Sequence, residues 1–184
     1  MNTTIFYFFY NLAHRSYFLD RIFVFVTDEL GMLILAATVA YLFYLFASHP
    51  KWKEKSLRSW IWECFMIFGS TTVAYAVAYI LKVIFHAPRP FVDHLDVIPL
   101  VSETPYTSFP SAHATLFFAL ATVVYIYNKN AGRVLFVAAL VISLSRMVVG
   151  VHYPRDVLTG ALIGVVVAYL FYKVVNSIFS RKNL

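Results

Sequence analysis

WIWECFMIFGSTTVAYAVAYILKVIF, residues 60–85, is an apolar run of 26 residues. About 20 apolar residues in a helix cross the hydrocarbon core of a bilayer, so this stretch alone is long enough to span. The same reading extends outward to Ala112–Tyr127, Val134–Val149 and Val157–Ile178, and a shorter uncharged run, Gly31–Ala47, makes a fifth span. Thr4–Val26 is apolar at both ends but carries His14, Arg15, Asp20 and Arg21 in its middle. A charge at a helix centre costs about 2.5–3.5 kcal/mol on the insertion scale. That stretch is therefore expected to be an interfacial or re-entrant helix, with aromatics such as Phe6, Tyr7, Phe8, Phe9 and Tyr10 at the membrane surface. The expected fold is all-α: one domain over residues 1–184, a polytopic bundle of five to six spans.

Composition agrees with lipid as the solvent. The chain is 61% hydrophobic with a mean hydropathy of +0.73, against roughly half apolar for a soluble domain. The formal net charge is +6, but the cations sit in short segments between apolar runs, which points to membrane topology and away from nucleic acid. The N-terminal stretch lacks the basic start and small-residue cleavage site of a secretory signal, so none is expected. Cys64 is the single cysteine, so neither an intrachain disulfide nor a cysteine-rich metal site can form. Lys51, Lys53, Lys55 and Arg58, then Lys129 and Arg133, then Arg181 and Lys182 fall on one side when the spans alternate. The positive-inside rule makes that side cytoplasmic. The long loop His86–Phe109 and the turn around His152 then lie on the extracytoplasmic side of the cell membrane.

Three polar clusters break the apolar pattern, all at that extracytoplasmic end. They are Lys82 to Arg89-Pro90; Pro110-Ser111-Ala112-His113; and Ser145-Arg146, His152 and Asp156. Ionisable residues at membrane depth are expensive and mark function. Lys82, Arg89 and Arg146 are three cations suited to a phosphate, arginine as a planar fork and lysine as a point charge. Pro110 is expected as the first residue of a helix, leaving the N–H groups of Ser111, Ala112 and His113 to face an anion, with the Ser111 hydroxyl as a further donor. His152 and Asp156 stand four apart, a spacing that lets the carboxylate fix one imidazole nitrogen and free the other to attack. His113 suits the acid that protonates the leaving oxygen.

These spacings resemble the three signatures of the type 2 phosphatidic acid phosphatase superfamily: Lys82, six residues, then Arg89-Pro90; Pro110-Ser111-Ala112-His113; and Ser145-Arg146, five residues, His152, three residues, Asp156. The resemblance implies His152 as nucleophile, Asp156 as its partner, His113 as acid, and Lys82, Arg89, Ser111 and Arg146 as phosphate ligands, with the Ala112 N–H beside them. Many members have glycine between the serine and histidine, and undecaprenyl-diphosphatases of the family often have aspartate; here that residue is Ala112. The short chain and the segments Asn11–Asp20, Arg89-Pro-Phe-Val92, Ser108-Phe-Pro-Ser111 and Gly150-Val-His-Tyr-Pro154 look most like that undecaprenyl-diphosphatase branch. The implied activity is metal-independent hydrolysis of a membrane lipid diphosphate, with no cofactor. A lipid monophosphate such as phosphatidic acid or phosphatidylglycerol phosphate is the alternative substrate.

Other readings predict other patterns. A zinc site built from His86, His94, His113 and His152 would have to form beside three cations that repel a metal ion. A transporter would carry charges along several spans, whereas here they gather at one end. Asp93, Asp96 and Glu103 are expected to form a solvated acidic rim. Trp52, Trp60 and Trp62 are expected to anchor an interface. Gly160 and Gly164 form a small-xxx-small pair suited to close helix packing.

Overall fold

The computed structural model describes residues 2–48 and 57–180, and among them there are seven helices and no strand. They are α1 (Asn2–Tyr10), α2 (Tyr17–Ser48), α3 (Leu57–Phe85), the single turn α4 (Pro90–Asp93), α5 (Ala112–Tyr127), α6 (Lys129–Val148) and α7 (Pro154–Ser180). Helices α2, α3, α6 and α7 are long and apolar enough to cross a bilayer. Helix α5 has 16 residues, about 24 Å, and is the shortest of the five apolar helices.

That short helix is the centre of the bundle, with α3, α6 and α7 packed around it. Phe117, Leu120 and Val123 of α5 meet Met66, Ile67, Ile142 and Ala168 in the main core. In lipid, helices gain little from burying apolar surface against one another, so close backbone approach matters more. Gly160 and Gly164 of α7 supply it. A Cβ on Gly160 would lie 2.5 Å from the Ser111 carbonyl oxygen, and one on Gly164 would lie 2.4 Å from that of Thr115. This contact draws the start of α7 against the start of α5. Outward positions such as Val83, Val134, Val137, Leu158 and Leu162 are exposed, as a lipid-facing surface requires.

At the opposite end, Asn128 joins α5 to α6. Its Oδ1 accepts from the N–H groups of Asn130 and Ala131, capping α6, and its Nδ2 donates to the Tyr41 hydroxyl at 3.0 Å. The basic residues Lys51, Lys53, Lys55, Arg181 and Lys182, and Trp52 of the expected anchor, lie outside the described residues.

The N-terminus departs from expectation. Thr4–Val26 is not one surface helix. It breaks at residues 11–16, and Tyr17 begins a 32-residue helix that runs straight into Gly31–Ala47. The break explains how the charges are tolerated. Asp20 lies in the first turn of α2, where the helix dipole favours an anion, and accepts from the His14 N–H at 2.8 Å. Arg15 Nε donates to the Asn11 carbonyl oxygen at 2.6 Å. The penalty for a charge at a helix centre does not arise, because His14 and Arg15 lie in the break and Asp20 and Arg21 at a helix end. Helix α1 in turn is held by protein. Phe6 is fully buried among Tyr10, Val97 and Tyr153, and Tyr10 Oη both accepts from the Ile98 N–H and donates to its carbonyl oxygen. Helix α1 thus braces the 86–110 loop, which lies over the ends of α3, α5, α6 and α7.

Candidate active site

Below that loop, His152 sits in the link between α6 and α7. Gly150 makes the turn possible with φ +82, a conformation that strains residues with a Cβ. The N–H groups of Val151 and His152 then both bond the Arg146 carbonyl oxygen, at 3.2 and 3.3 Å, which fixes the histidine backbone to the end of α6. Pro154 opens α7 at a position where its missing N–H costs nothing, and Asp156 falls in the first turn. His152 is 1% exposed and Asp156 fully buried.

The ring has a defined polarity. Arg89 Nη1 lies 3.3 Å from His152 Nε2. A guanidinium only donates, so Nε2 is the nitrogen with the lone pair and Nδ1 carries the proton. Nδ1 faces Asp156 Oδ2 at 3.5 Å, within ion-pair reach but longer than a hydrogen bond. Asp156 Oδ2 is instead held by the Ser108 hydroxyl at 2.6 Å and the Tyr153 N–H at 2.9 Å. Such contacts commonly tighten when substrate binds. Burial, followed by Arg146, Arg89, Lys82 and His113, pushes the His152 imidazole well below its ordinary value. It is therefore neutral at neutral pH, the form that can act as a nucleophile.

The three cations converge around it. Arg89 reaches in from the start of α4 and is 3% exposed; its Nη1 also donates to the Val151 carbonyl oxygen at 2.9 Å, and its Nε to that of Thr104 at 2.8 Å. Arg146, on the last turn of α6, is 1% exposed. Lys82, near the end of α3, is buried, and its ammonium donates to the carbonyl oxygens of Thr107 and, at 3.5 Å, Ser108.

The start of α5 differs from the sequence reading in one respect. Pro110 is not the first helical residue. It precedes the N-cap, Ser111, whose Oγ accepts from the Ala114 N–H at 3.5 Å. The Ser111 N–H is not available to an anion either, because it donates to the Asp156 carbonyl oxygen at 2.9 Å. What remains for a ligand is the Ser111 hydroxyl proton and the N–H groups of Ala112 and His113, whose first-turn position leaves them without helical acceptors. The Gly160 contact causes this change, because it presses the chain at Ser111 onto the start of α7.

Glu103 was expected on a solvated rim with Asp93 and Asp96, but it lies inside. Its Oε2 sits 2.9 Å from Arg89 Nη2, and its Oε1 bonds Arg146 Nη2. Burial works against its charge, yet Arg146 and Arg89 outweigh that cost and hold the carboxyl below the usual range. Asp96, by contrast, is exposed and accepts from the Tyr7 hydroxyl, and Asp93 accepts from that of Tyr153. Helix α2 also enters the site. Asp28 Oδ1 lies 3.6 Å from Arg146 Nη1, and the Thr27 hydroxyl donates to Ser145 Oγ at 2.8 Å, fully buried. Among the described residues, no three His, Cys, Asp or Glu side chains gather in a metal-binding group. His86 stacks on Tyr106, and His94 packs against Tyr7 and Tyr153.

Residues 63–180 match the family model described as the PAP2 superfamily. The chain is 31% identical over 174 residues to undecaprenyl-diphosphatase BcrC of Bacillus subtilis, covering 94% of this chain and 83% of that one. The crystal structure of Aquifex aeolicus LpxE superposes with a TM-score of 0.73 at 28% identity, over 94% of both chains. A PAP2 type phosphatidylglycerolphosphate phosphatase from Bacillus subtilis shares the fold, with a TM-score of 0.66 at 18% identity over 96% of this chain and 87% of that one.

Proposed function

Because this chain belongs to the PAP2 superfamily and is a multi-pass membrane lipid phosphatase, we propose that it hydrolyses undecaprenyl diphosphate to undecaprenyl phosphate through a phosphohistidine on His152. The observation that carries the mechanism is the buried His152 ring, with its lone-pair nitrogen turned to Arg89 and its other nitrogen to Asp156. In the first step the Nε2–P bond forms as the bond from the terminal phosphorus to the bridging oxygen breaks. His113 gives its proton to the departing lipid phosphate. Lys82, Arg89, Arg146, the Ser111 hydroxyl and the N–H groups of Ala112 and His113 hold the three phosphoryl oxygens, where charge is greatest in the transition state. In the second step water, losing a proton to His113, attacks phosphorus, and the P–N bond breaks to release phosphate and restore the neutral imidazole.

The diphosphate reading draws on the relative named above and on charge. A diphosphate carries more negative charge than a monoester and offers a better leaving group, and the site supplies three cations and a helix start. In this reading the site faces the extracytoplasmic surface, with the lipid tail between helices whose outer faces are apolar. The test is a substrate panel in mixed micelles with chelator present. Undecaprenyl diphosphate should show a higher kcat/KM than phosphatidic acid or phosphatidylglycerol phosphate at matched mole fraction. A ratio below one removes the undecaprenyl assignment and leaves the phosphatase standing.

A further inference from the structure

We infer that Glu103 is an internal stand-in for the substrate phosphate, seated on Arg89 and Arg146 so that phosphodiester lipids cannot occupy the site and only a dianionic phosphate displaces it. The inference rests on the reading above, in which these two arginines hold the phosphate attacked by His152. Its own support is geometric. One carboxylate spans both guanidinium groups, Oε2 on Arg89 Nη2 at 2.9 Å and Oε1 on Arg146 Nη2. Arg89 Nη1 is at the same time 3.3 Å from His152 Nε2. A phosphoryl group within bonding reach of Nε2 therefore meets the same Arg89 guanidinium whose other terminal nitrogen, Nη2, Glu103 now holds. Arginine N–H groups serve carboxylate and phosphate alike, so a carboxylate bound to both guanidinium groups holds donors that a phosphate would use.

The chain around Glu103 is built for a side chain that leaves while its backbone stays. The Arg89 N–H donates to the Pro105 carbonyl oxygen at 2.9 Å and Arg89 Nε to that of Thr104 at 2.8 Å, so the following residues are pinned to Arg89 itself. Ser102 on the other side is exposed and outside any helix. Glu103 is a quarter exposed, so rotation carries it to solvent without unpacking a core.

The chemistry states what such a residue selects. Phosphodiester headgroups of bulk phospholipids are monoanions. Exchanging one carboxylate for one diester trades a single negative charge for another and gains nothing. A phosphate monoester or terminal diphosphate brings two charges and a third oxygen to Lys82 and the α5 N-terminus, so it wins the exchange. Without Glu103, the two arginines would be open to the phospholipids that surround the protein. If the carboxylate holds the seat about nine-tenths of the time, the apparent Kd of an anion that takes it rises about tenfold, a loss that a dianion offsets through its added contacts with Lys82 and the α5 N-terminus and a diester does not.

The test compares wild type with Glu103→Gln, which keeps the shape and removes the charge. Calorimetry with orthophosphate on the full chain in detergent needs no turnover, so it stands even if the lipid substrate is misassigned. Glu103→Gln should bind orthophosphate about tenfold more tightly, and its turnover of the lipid diphosphate should be inhibited by phosphatidylglycerol that leaves wild type unaffected. Weaker orthophosphate binding by the variant overturns the proposal, because Glu103 then serves to order the arginines. Equal inhibition of both proteins by phosphatidylglycerol overturns it too. Should Glu103→Gln fail to fold, a spin label on Ser102→Cys in a Cys64→Ala background reports the same event. Saturating vanadate should increase its mobility, and an unchanged spectrum sinks the displacement.

Discussion

Ser108→Ala removes one oxygen from the site without touching any proposed phosphate ligand. The Ser108 hydroxyl is fully buried and donates to Asp156 Oδ2 at 2.6 Å, the same oxygen that faces His152 Nδ1 at 3.5 Å. A hydrogen bond to a charged, buried group contributes about 1.5–3 kcal/mol. The Tyr153 N–H still holds that oxygen at 2.9 Å, so the carboxylate is not orphaned, and the lower end of the range applies. About 1.4 kcal/mol expressed in the transition state is a tenfold fall in kcat. In the proposed mechanism Ser108 orients Asp156 and Asp156 orients the imidazole, so KM should change by less than about twofold. The assay is steady-state phosphate release from lipid diphosphate by wild type, Ser108→Ala, Asp156→Asn and the double variant. In the Asp156→Asn background the Ser108 substitution should have almost no further effect, since a shared route makes the losses non-additive. Full multiplication of the two losses, or a loss confined to KM, would refute the idea that Ser108 works through Asp156.

Three further outcomes follow from the same structure. Gly164→Leu should cost at least about 1–3 kcal/mol in stability and most of the activity, because the new side chain meets the Thr115 backbone; a thermal melt matching wild type counts against the α5–α7 contact. Acid should destabilise the fold. The His152 imidazole is held below its ordinary value, so from about pH 6.5 downward the unfolded chain takes up a proton that the native ring refuses, and stability falls by up to about 1.4 kcal/mol per pH unit until the native ring also titrates. Glu103 acts in the same direction at lower pH, since its carboxyl is held below the usual range. Melting temperature should therefore drop between pH 7.5 and 5.5, and drop less in His152→Gln; a rise toward pH 5.5 contradicts the neutral ring. For sidedness, a cysteine at exposed Leu95 should react with an impermeant reagent on intact cells, while one at exposed Asn130 should react only after permeabilisation, and the reverse pattern turns the site toward the cytoplasm.

What the sequence made legible is local in the chain. Lys82 and Arg89, Ser111 to His113, and Arg146, His152 and Asp156 each fall in a short segment at a helix end, so alternating the spans was enough to bring them to one side. Five apolar runs likewise became five apolar helices. What stayed hidden depends on contacts between distant segments. Glu103 looked like one of three loop acids, and nothing in its neighbourhood separates it from Asp93 or Asp96 until the loop folds back over Arg146, 43 residues away. Thr27 and Asp28 reach the site only because α2 packs against α6, across 118 residues of chain in the case of Thr27 and Ser145. The hint for Asp28 was its place, with alternating spans, at the same end as the three polar clusters. Ser108 lay inside a quoted segment, but its bond to Asp156 needs the close α5–α7 approach that Gly160 and Gly164 permit. At the N-terminus, charge count argued against a span because it assumed an unbroken helix; the turn at residues 11–16 takes the charges out of its centre.

The central claim is a covalent phosphate on His152 Nε2, and it is tested most directly by trapping. A diphosphate leaving group needs little proton assistance, whereas attack by water needs His113 as base. His113→Ala should therefore form the intermediate faster than it breaks it down. Rapid quench with substrate labelled in its terminal phosphate should give an acid-labile, base-stable adduct in His113→Ala that maps to His152 by mass spectrometry. The adduct should be missing from the His113→Ala, His152→Ala double variant. Label on any other residue, or label that survives the loss of His152, contradicts the account.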